Sequence, residues 1–182
     1  MPSFSFAGAC ALVALVAGAC SSDPPVLLDG STTDASSVAR CLILPDYGAL
    51  GAKPGTAGTV GTSPTLTVVL DAGPPKDDYF VKLVPGKGAF AGGTLATGSF
   101  PIGGADASFN DCGLCTNLIA DIVAGQGPTK FYYADAGTVT LTATNPIAGS
   151  AQNIHFVEFD VNSGLAIPGG CTSAVTSISF GP

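Results

Sequence analysis

The sequence predicts an all-β fold, an antiparallel β-sandwich of about eight or nine short strands that disulfides staple together. Three observations support this prediction. Apolar and polar residues alternate with a period of two in several short segments. Glycine (25 residues) and proline (14 residues) are abundant, as expected of a chain with many turns. No segment sustains the 3.6-residue apolar period of an amphipathic helix, so helices are expected to be minor.

The predicted elements follow from this alternation. An apolar patch at 41–44 is expected to start the fold, and 48–64, rich in Gly, Thr and Pro, is interpreted as a long loop. Turns are expected at 71–78 and 85–88. Strands are expected at 66–70, 79–84, 95–102, 105–110, 114–123, 131–133, 138–144, 154–161 and 176–180. The apolar run 114–123 also fits a short helix.

The clearest predicted strand is 138–144, because its side chains separate into two faces. One face is apolar and the other carries only threonines: Val139, Leu141 and Ala143 against Thr138, Thr140, Thr142 and Thr144. Threonine is common on the solvent side of strands, which is the interpretation we favour. A flat ligand-binding or glycosylated face is the alternative.

The N-terminal segment predicts where the protein is located. Residues 1–19 carry no charged side chain, and their apolar run is short of the roughly 20 residues of a spanning helix but fits a signal-peptide core. Ala17, Gly18 and Ala19 come directly before Cys20, and a polar, proline-bearing segment follows at 21–25. Small residues followed directly by a cysteine resemble the lipobox of bacterial lipoprotein precursors.

This resemblance implies that residues 1–19 are a lipoprotein signal peptide and that Cys20 is acylated and becomes the mature N-terminus. Residues 20–40, rich in Ser, Asp and Thr, are then expected to be a flexible tether, and 41–182 the β-sandwich domain. The implied partner is a membrane, held through the lipid, and Ser21 is compatible with the outer membrane of the cell envelope. Plain secretion and an uncleaved anchor are the alternatives.

The charge balance excludes some partners. The net charge is −7, with only six lysines and arginines in 182 residues. Nucleic acid requires clustered basic side chains against its phosphates, so it is not an expected partner. A polybasic contact with anionic lipid is excluded for the same reason.

The cysteine count favours disulfides. Cys10 lies in the signal segment, and if Cys20 is lipidated an even number remains: Cys41, Cys112, Cys115 and Cys171. In an exported chain this remainder indicates two bridges. A turn at Gly113 would let Cys112 bond Cys115 and leave Cys41 for Cys171, which is the pairing we favour. Without that turn, Cys112 and Cys115 would reach the other two cysteines separately.

The Cys112-Gly113-Leu114-Cys115 motif could also have a chemical function, either in thiol redox or in zinc binding. A thiol-redox module would use a lowered thiol pKa in such a motif, but no thioredoxin-like βαβ pattern surrounds it. A four-cysteine zinc site would require a second Cys-x-x-Cys, which the sequence lacks. Structural disulfides are therefore favoured, and no metal or other cofactor is expected.

Candidate catalytic residues are few. His155 is the only histidine, and it is interpreted as a partly buried strand residue with its hydrogen bonds satisfied, since no second histidine or Gly-x-Ser-x-Gly motif accompanies it. Glu158 and Asp160 could present paired carboxylates to a sugar, although a solvated strand face explains them equally well. Asp71, Asp77 and Asp78 could bind calcium but fit ordinary turn acids better.

The body of the chain has three further features: the hairpin segment 83–88, the Cys112–Cys115 motif followed by Ala120-Asp121, and Gly170-Cys171-Thr172. These make 78–180 similar to uncharacterised Cys-containing lipoproteins of Gram-negative bacteria, a resemblance that carries no known activity. The sequence favours a non-catalytic module for adhesion, envelope structure or ligand binding, with envelope polysaccharide or protein as its partner. The alternatives are an extracytoplasmic carbohydrate-active enzyme, in which Glu158, Asp160 or Asp121 meets another carboxylate, and the thiol-redox module.

Overall fold

The computed structural model describes residues 41–182. The predicted signal peptide, Cys20 and the tether at 20–40 lie outside the described residues. The described part contains eight strands: β1 Ala49–Val60, β2 Ser63–Asp71, β3 Lys76–Leu83, β4 Gly98–Pro101, β5 Leu114–Ile122, β6 Lys130–Thr144, β7 Ile147–Glu158 and β8 Thr172–Gly181. Two short 3₁₀ helices, Gly88–Phe90 and Gly104–Ala107, flank β4 in the chain, and residues 41–182 contain no α-helix.

Seven of these strands form a closed mixed barrel in the order β5, β3, β2, β1, β8, β7 and β6, with β6 pairing again with β5. The pairing between β1 and β8 is parallel, and the other pairings are antiparallel. β4 is an additional strand that pairs with β6, with Phe100 opposite Val139.

The all-β class and the disulfides are confirmed, but the predicted β-sandwich is wrong, because the sheet closes on itself. Closure removes the unpaired edges that two separate sheets would leave. The length of β6, 15 residues, makes this possible. Its 132–144 segment pairs with β7, while on the other side 130–133 pairs with β5 and 138–141 with β4.

Several predicted elements are also corrected. The expected loop at 48–64 is wrong, because 49–60 is β1, which pairs with both β2 and β8. The expected strand at 105–110 is wrong, because 105–107 belong to the 3₁₀ helix Gly104–Ala107 and 108–110 form a bend and a turn. The segments 131–133 and 138–144 are one continuous strand. The run 114–123 is a strand, and the last strand begins earlier than predicted.

The barrel interior is filled by alternate side chains of its strands. Tyr79 on β3 packs edge-on against Phe156 on β7, with ring centroids 6.3 Å apart, and its centroid lies 5.7 Å from that of Phe180 on β8. Tyr79 and Phe156 are completely buried. Inward-facing aromatic residues from three strands therefore form the centre of the core.

Both disulfides of the favoured pairing are present. Cys41 is bonded to Cys171 and Cys112 to Cys115, with Cα atoms 5.7 and 5.1 Å apart. The Cys112–Cys115 turn requires a glycine, because a Cβ added at Gly113 would lie 2.0 Å from the carbonyl oxygen of Lys87. Asp106 Oδ1 accepts hydrogen bonds from the Gly113 and Leu114 N–H groups, at 2.8 and 2.9 Å, and so fixes the turn to the second 3₁₀ helix.

Candidate functional site

Polar side chains meet where several barrel strands begin or end. Asp77 lies at the start of β3, Asp121 at the end of β5, Lys130 at the start of β6 and Glu158 at the end of β7. Antiparallel neighbours bring the start of one strand beside the end of the next, which is why these residues share one end of the barrel. We call this set the barrel-end cluster; it consists of Tyr47, Asp77, Asp121, Lys130, Tyr132 and Glu158.

Asp77 is the acceptor at the centre of this cluster. The Tyr47 hydroxyl donates to its Oδ2 at 2.5 Å, and the Asp121 N–H donates to its Oδ1 at 2.9 Å. Asp121 has a φ of 53°, in the left-handed region that aspartate tolerates better than most residues. This conformation lies beside the register shift between β3 and β5 at Lys76/Asp78, so the irregular backbone is held by a carboxylate.

Glu158 links the cluster to a disulfide. Its Oε1 lies 2.7 Å from Lys130 Nζ, and its Oε2 accepts the Cys171 N–H at 2.8 Å. Both charged side chains are mostly buried. A buried carboxylate requires such partners, because an unpaired charge removed from water is strongly unfavourable.

Burial shifts the proton equilibria of the cluster. Desolvation raises the pKa of Asp121 above its ordinary value of 3.8; the carboxylates of Asp77 and Glu158 also raise it, and Lys130 opposes them. Burial likewise raises the pKa of Tyr132, so its hydroxyl stays protonated. Within the described residues neither Asp121 Oδ1 nor the Tyr132 hydroxyl has a hydrogen-bond partner.

The structure brings together some of the acids on which the carbohydrate-active alternative depends. The Asp121 N–H donates to Asp77, and the charges of Asp77 and Glu158 both raise the pKa of the Asp121 carboxyl. Asp77 and Asp121 are each only 5% exposed, which does not suit general acid–base catalysis on a polysaccharide. The arrangement suits a structural role at the end of the barrel.

Asp160 and His155 lie elsewhere. Asp160 follows β7 and accepts the N–H groups of Asn162 and Ser163 at 2.9 and 2.8 Å; these hydrogen bonds lower its pKa, with Ser163 the largest cause. His155 is exposed, not partly buried as expected, because it faces outward on β7. Its Nδ1 lies 2.6 Å from Asp135 Oδ1 on β6.

The acids considered for calcium are divided between two environments. Asp71 accepts the Gly73 N–H at 2.9 Å, as expected of a turn acid. Asp77 and Asp78 are not turn acids, because both are buried in β3, where Asp78 pairs with Lys76 at 2.7 Å. Within residues 41–182 no group of three or more His, Cys, Asp or Glu side chains is placed to hold a metal ion.

A second feature lies on the outer wall of the barrel. Outward-facing residues of β3, β5 and β6, together with the last residue of β1 and residues before β5 and after β7, line a concave apolar cavity of about 170 Å³. We call it the aromatic groove; its walls are Phe80, Phe109, Ile119, Phe131 and Phe159. Val60 and Val161 form an exposed rim, and Lys82 and Asn117 are its polar residues.

The rings of the aromatic groove support one another. The centroid of Phe159 lies 4.3 Å from that of Phe109, 6.3 Å from that of Phe131 and 5.6 Å from that of Tyr133. Cross-strand pairing fixes the remaining wall, since Phe80 and Tyr133 both lie opposite Asn117 and Ile119 lies opposite Phe131. The groove is therefore preformed by strand pairing and aromatic contacts.

The sequence contains a signal for this groove that the alternation alone does not reveal. In β3 the inward residues are Tyr79, Val81 and Leu83, yet the outward face still carries Phe80. In β6 the outward Phe131 and Tyr133 flank the inward Tyr132. Large apolar residues on both faces of neighbouring strands indicate that the outer face is also covered or used.

The threonine face of β6 lies outside the core. Val139 and Leu141 are buried, whereas Thr142 is exposed and Thr140 is half-buried. The Thr140 hydroxyl donates to the Ser99 hydroxyl at 3.2 Å. Part of this face is thus covered by β4.

No protein-family model, curated protein or solved structure matches this chain. The resemblance of 78–180 to Gram-negative lipoproteins therefore stays a prediction. Among residues 41–182 no helix is long and apolar enough to cross a membrane.

Proposed function

We propose that this protein is an exported, lipid-anchored lipoprotein of the cell envelope whose barrel is a non-catalytic binding module for adhesion, envelope structure or ligand capture. One observation carries the proposal: all four cysteines of residues 41–182 are paired in disulfides. Stable structural disulfides are typical of oxidising compartments outside the cytoplasm. The lipobox-like segment ending at Cys20 supplies the route to such a compartment.

The anchor in this proposal is acylated Cys20, with the outer membrane as the expected location. One acyl chain gives only marginal membrane binding, whereas two or more give stable attachment. Bacterial lipoproteins of this kind carry several chains. Residues 20–40 would then connect the membrane to the barrel, which would meet an envelope polysaccharide or protein.

The non-catalytic part of the proposal rests on how the barrel-end cluster is buried. Asp77 accepts two hydrogen bonds, Glu158 pairs with Lys130 and a backbone N–H, and both serve as fixed acceptors. The aromatic groove, by contrast, is concave, apolar and lined by few polar groups, as small-molecule sites are. Binding is therefore assigned to the groove and stability to the cluster.

The carbohydrate-active enzyme is the second candidate, and the proximity of Asp121 to Asp77 is the observation in its favour. Asp121→Asn and Glu158→Gln would abolish glycan turnover if these acids were catalytic. Under our proposal no turnover is detected with the unaltered protein. The turnover assay therefore separates the two functions.

The burial of Cys112 and Cys115 disfavours the thiol-redox module. Cys112 and Cys115 are 4% and 3% exposed, whereas reactive thiols are accessible as well as low in pKa. Rapid reduction of this bridge by a mild reductant, with the Cys41–Cys171 bridge intact, would instead support redox work.

Metabolic labelling with an alkyne fatty acid tests the anchor. Cys20→Ser is expected to abolish incorporation of the fatty acid and to leave residues 1–19 attached to the protein. Cys10→Ser is the matched control, because Cys10 also follows Ala-Gly-Ala but lies inside the signal segment, and it should leave labelling unchanged. Labelling that survives Cys20→Ser would contradict the proposed anchor.

A further inference from the structure

We propose that the aromatic groove binds a small amphipathic carboxylate, one with a single aromatic ring or a short acyl chain. This inference rests on the proposed binding function and names its ligand class. The groove is small, with a volume of about 170 Å³, so it suits a ligand of one ring and its substituent.

The polar groups of the groove indicate the charge of the ligand. Lys82 is half-buried, and no hydrogen bond or ion pair to its ammonium is found within residues 41–182. The residues lining the groove, all from the described range, include no acidic side chain. The local charge of the groove is therefore positive, although the net charge of the protein is −7, and a local positive charge is complementary to an anion.

Asn117 supplies an independent observation. It is only 8% exposed, it lines the groove, and its side-chain amide has no partner in the described part of the chain. Its amide nitrogen and oxygen are not among the fully buried atoms that lack a partner, so they face the open groove, where a ligand can bond them in place of water. Its N–H₂ group can donate to a carboxylate oxygen.

Strand register places these two groups at one end of an apolar floor. Lys82 lies opposite Cys115, and Asn117 is two residues further along the same face of β5. Lys82 and Asn117 are therefore diagonal neighbours, with backbones about 7–8 Å apart. A carboxylate between them would receive one charge-assisted bond from Lys82 and one bond from Asn117. The apolar body would then rest on Phe131 and Phe159.

The test uses ¹⁹F NMR of 4-fluorophenylacetate and of its neutral isostere 4-fluorophenylacetamide. The full chain is purified from the cell fraction in which it accumulates, in phospholipid nanodiscs if it is lipid-anchored, with empty nanodiscs as the blank. We expect the acid to bind at least about fivefold more tightly than the amide, because only the acid forms the ion pair with Lys82. Added salt should weaken binding of the acid but not binding of the amide.

Variants locate the site. Lys82→Met is expected to weaken binding of the acid about fivefold and to leave binding of the amide unchanged. Phe131→Leu is expected to weaken binding of both compounds. Lys53→Met is the matched control, since Lys53 also lacks an ion-pair partner within 41–182 but lines a different surface, and it should change neither.

Equal binding of acid and amide, absence of binding by both, or an unchanged affinity in Lys82→Met would overturn the proposed ligand class. Acylation at Cys20 is measured independently by fatty-acid labelling. A failure here is therefore distinguishable from a failure of the proposed location.

Discussion

The Tyr47 hydroxyl donates a 2.5 Å hydrogen bond to Asp77 Oδ2 and so joins the segment before β1 to the start of β3. The same segment is held by the Tyr47 N–H, which donates to the Ala174 carbonyl at 2.9 Å, and by the bridge from Cys41 to Cys171. The Ser173 hydroxyl on β8 also donates to the Leu44 carbonyl at 2.7 Å. Residues 41–47 are thus attached to the barrel by a disulfide, a backbone hydrogen bond and two side-chain hydrogen bonds.

Removing this hydroxyl should destabilise the barrel. Tyr47→Phe leaves the buried Asp77 Oδ2 without its donor, and we expect the free energy of unfolding to fall by about 1–3 kcal/mol, as for bonds to charged groups. Urea denaturation measures the change. Tyr133→Phe is the control, because no partner of the Tyr133 hydroxyl occurs within 41–182, and equal losses in the two variants would contradict this role.

The Cys112–Cys115 turn should not tolerate a side chain at Gly113. Gly113→Ala places a Cβ 2.0 Å from the Lys87 carbonyl oxygen, so the backbone must shift, and we expect a loss of about 2–4 kcal/mol. In Gly103→Ala the added Cβ meets no atom within 4 Å, and the φ of 176° suits any residue. Thermal melts of the two variants should differ clearly; similar melting temperatures would mean that the turn relaxes without cost.

Asp121 should lower stability at neutral pH. The pKa of its carboxyl is raised in the folded protein, so folding favours the protonated form. The contribution of this carboxyl to stability is therefore greatest below pH 3.8, and it is lost as the pH rises through the pKa of the folded state. Asp121→Asn should therefore raise the melting temperature at pH 7 and have little effect near pH 3. Asparagine also tolerates the positive φ.

Asp160 should show the opposite dependence. Backbone hydrogen bonds lower the pKa of its carboxyl, so the ionised carboxylate stabilises the fold above pH 3.8. That contribution is lost as the pH falls through the pKa of the folded state. Asp160→Ala should be destabilising at pH 7 and less so near pH 3. If both variants changed stability with the same pH trend, the assigned pKa directions would be wrong.

The two disulfides should contribute unequally. The Cys41–Cys171 bridge spans 130 positions and the Cys112–Cys115 bridge spans 3. The chain-entropy model predicts that the first bridge stabilises the fold by about 4–5 kcal/mol and the second by about 2 kcal/mol. Paired Cys→Ser variants compared by urea denaturation should follow this order, and a larger loss on removing Cys112–Cys115 would contradict the model.

The fold was predictable where one strand face is buried and the other is not. The segments 66–70 and 138–144 alternate clearly and are strands. β1 was missed because its burial pattern is mostly exposed, so its residues carry little periodic signal. Its place in the barrel depends on pairing with β2 and β8, which is a non-local property that separates a closed barrel from a sandwich.

The sites were less predictable for a related reason. Glu158 and Asp121 were recognisable as acids, but their common neighbour Asp77 was expected in a turn, and only strand register brings the three together. The aromatic groove combines β3, β5 and β6 with Phe109 and Phe159, which lie outside the strands. A sequence pattern reports the face of each strand but not which strands become neighbours.

Intact-mass analysis of the protein extracted from cells, with and without reductant, measures acylation, processing and disulfide content together. We expect a chain that begins at an acylated Cys20, lacks residues 1–19, and gains the mass of four hydrogens on reduction of its two disulfides. An unmodified 182-residue chain recovered from the cytosol with free thiols would contradict this expectation.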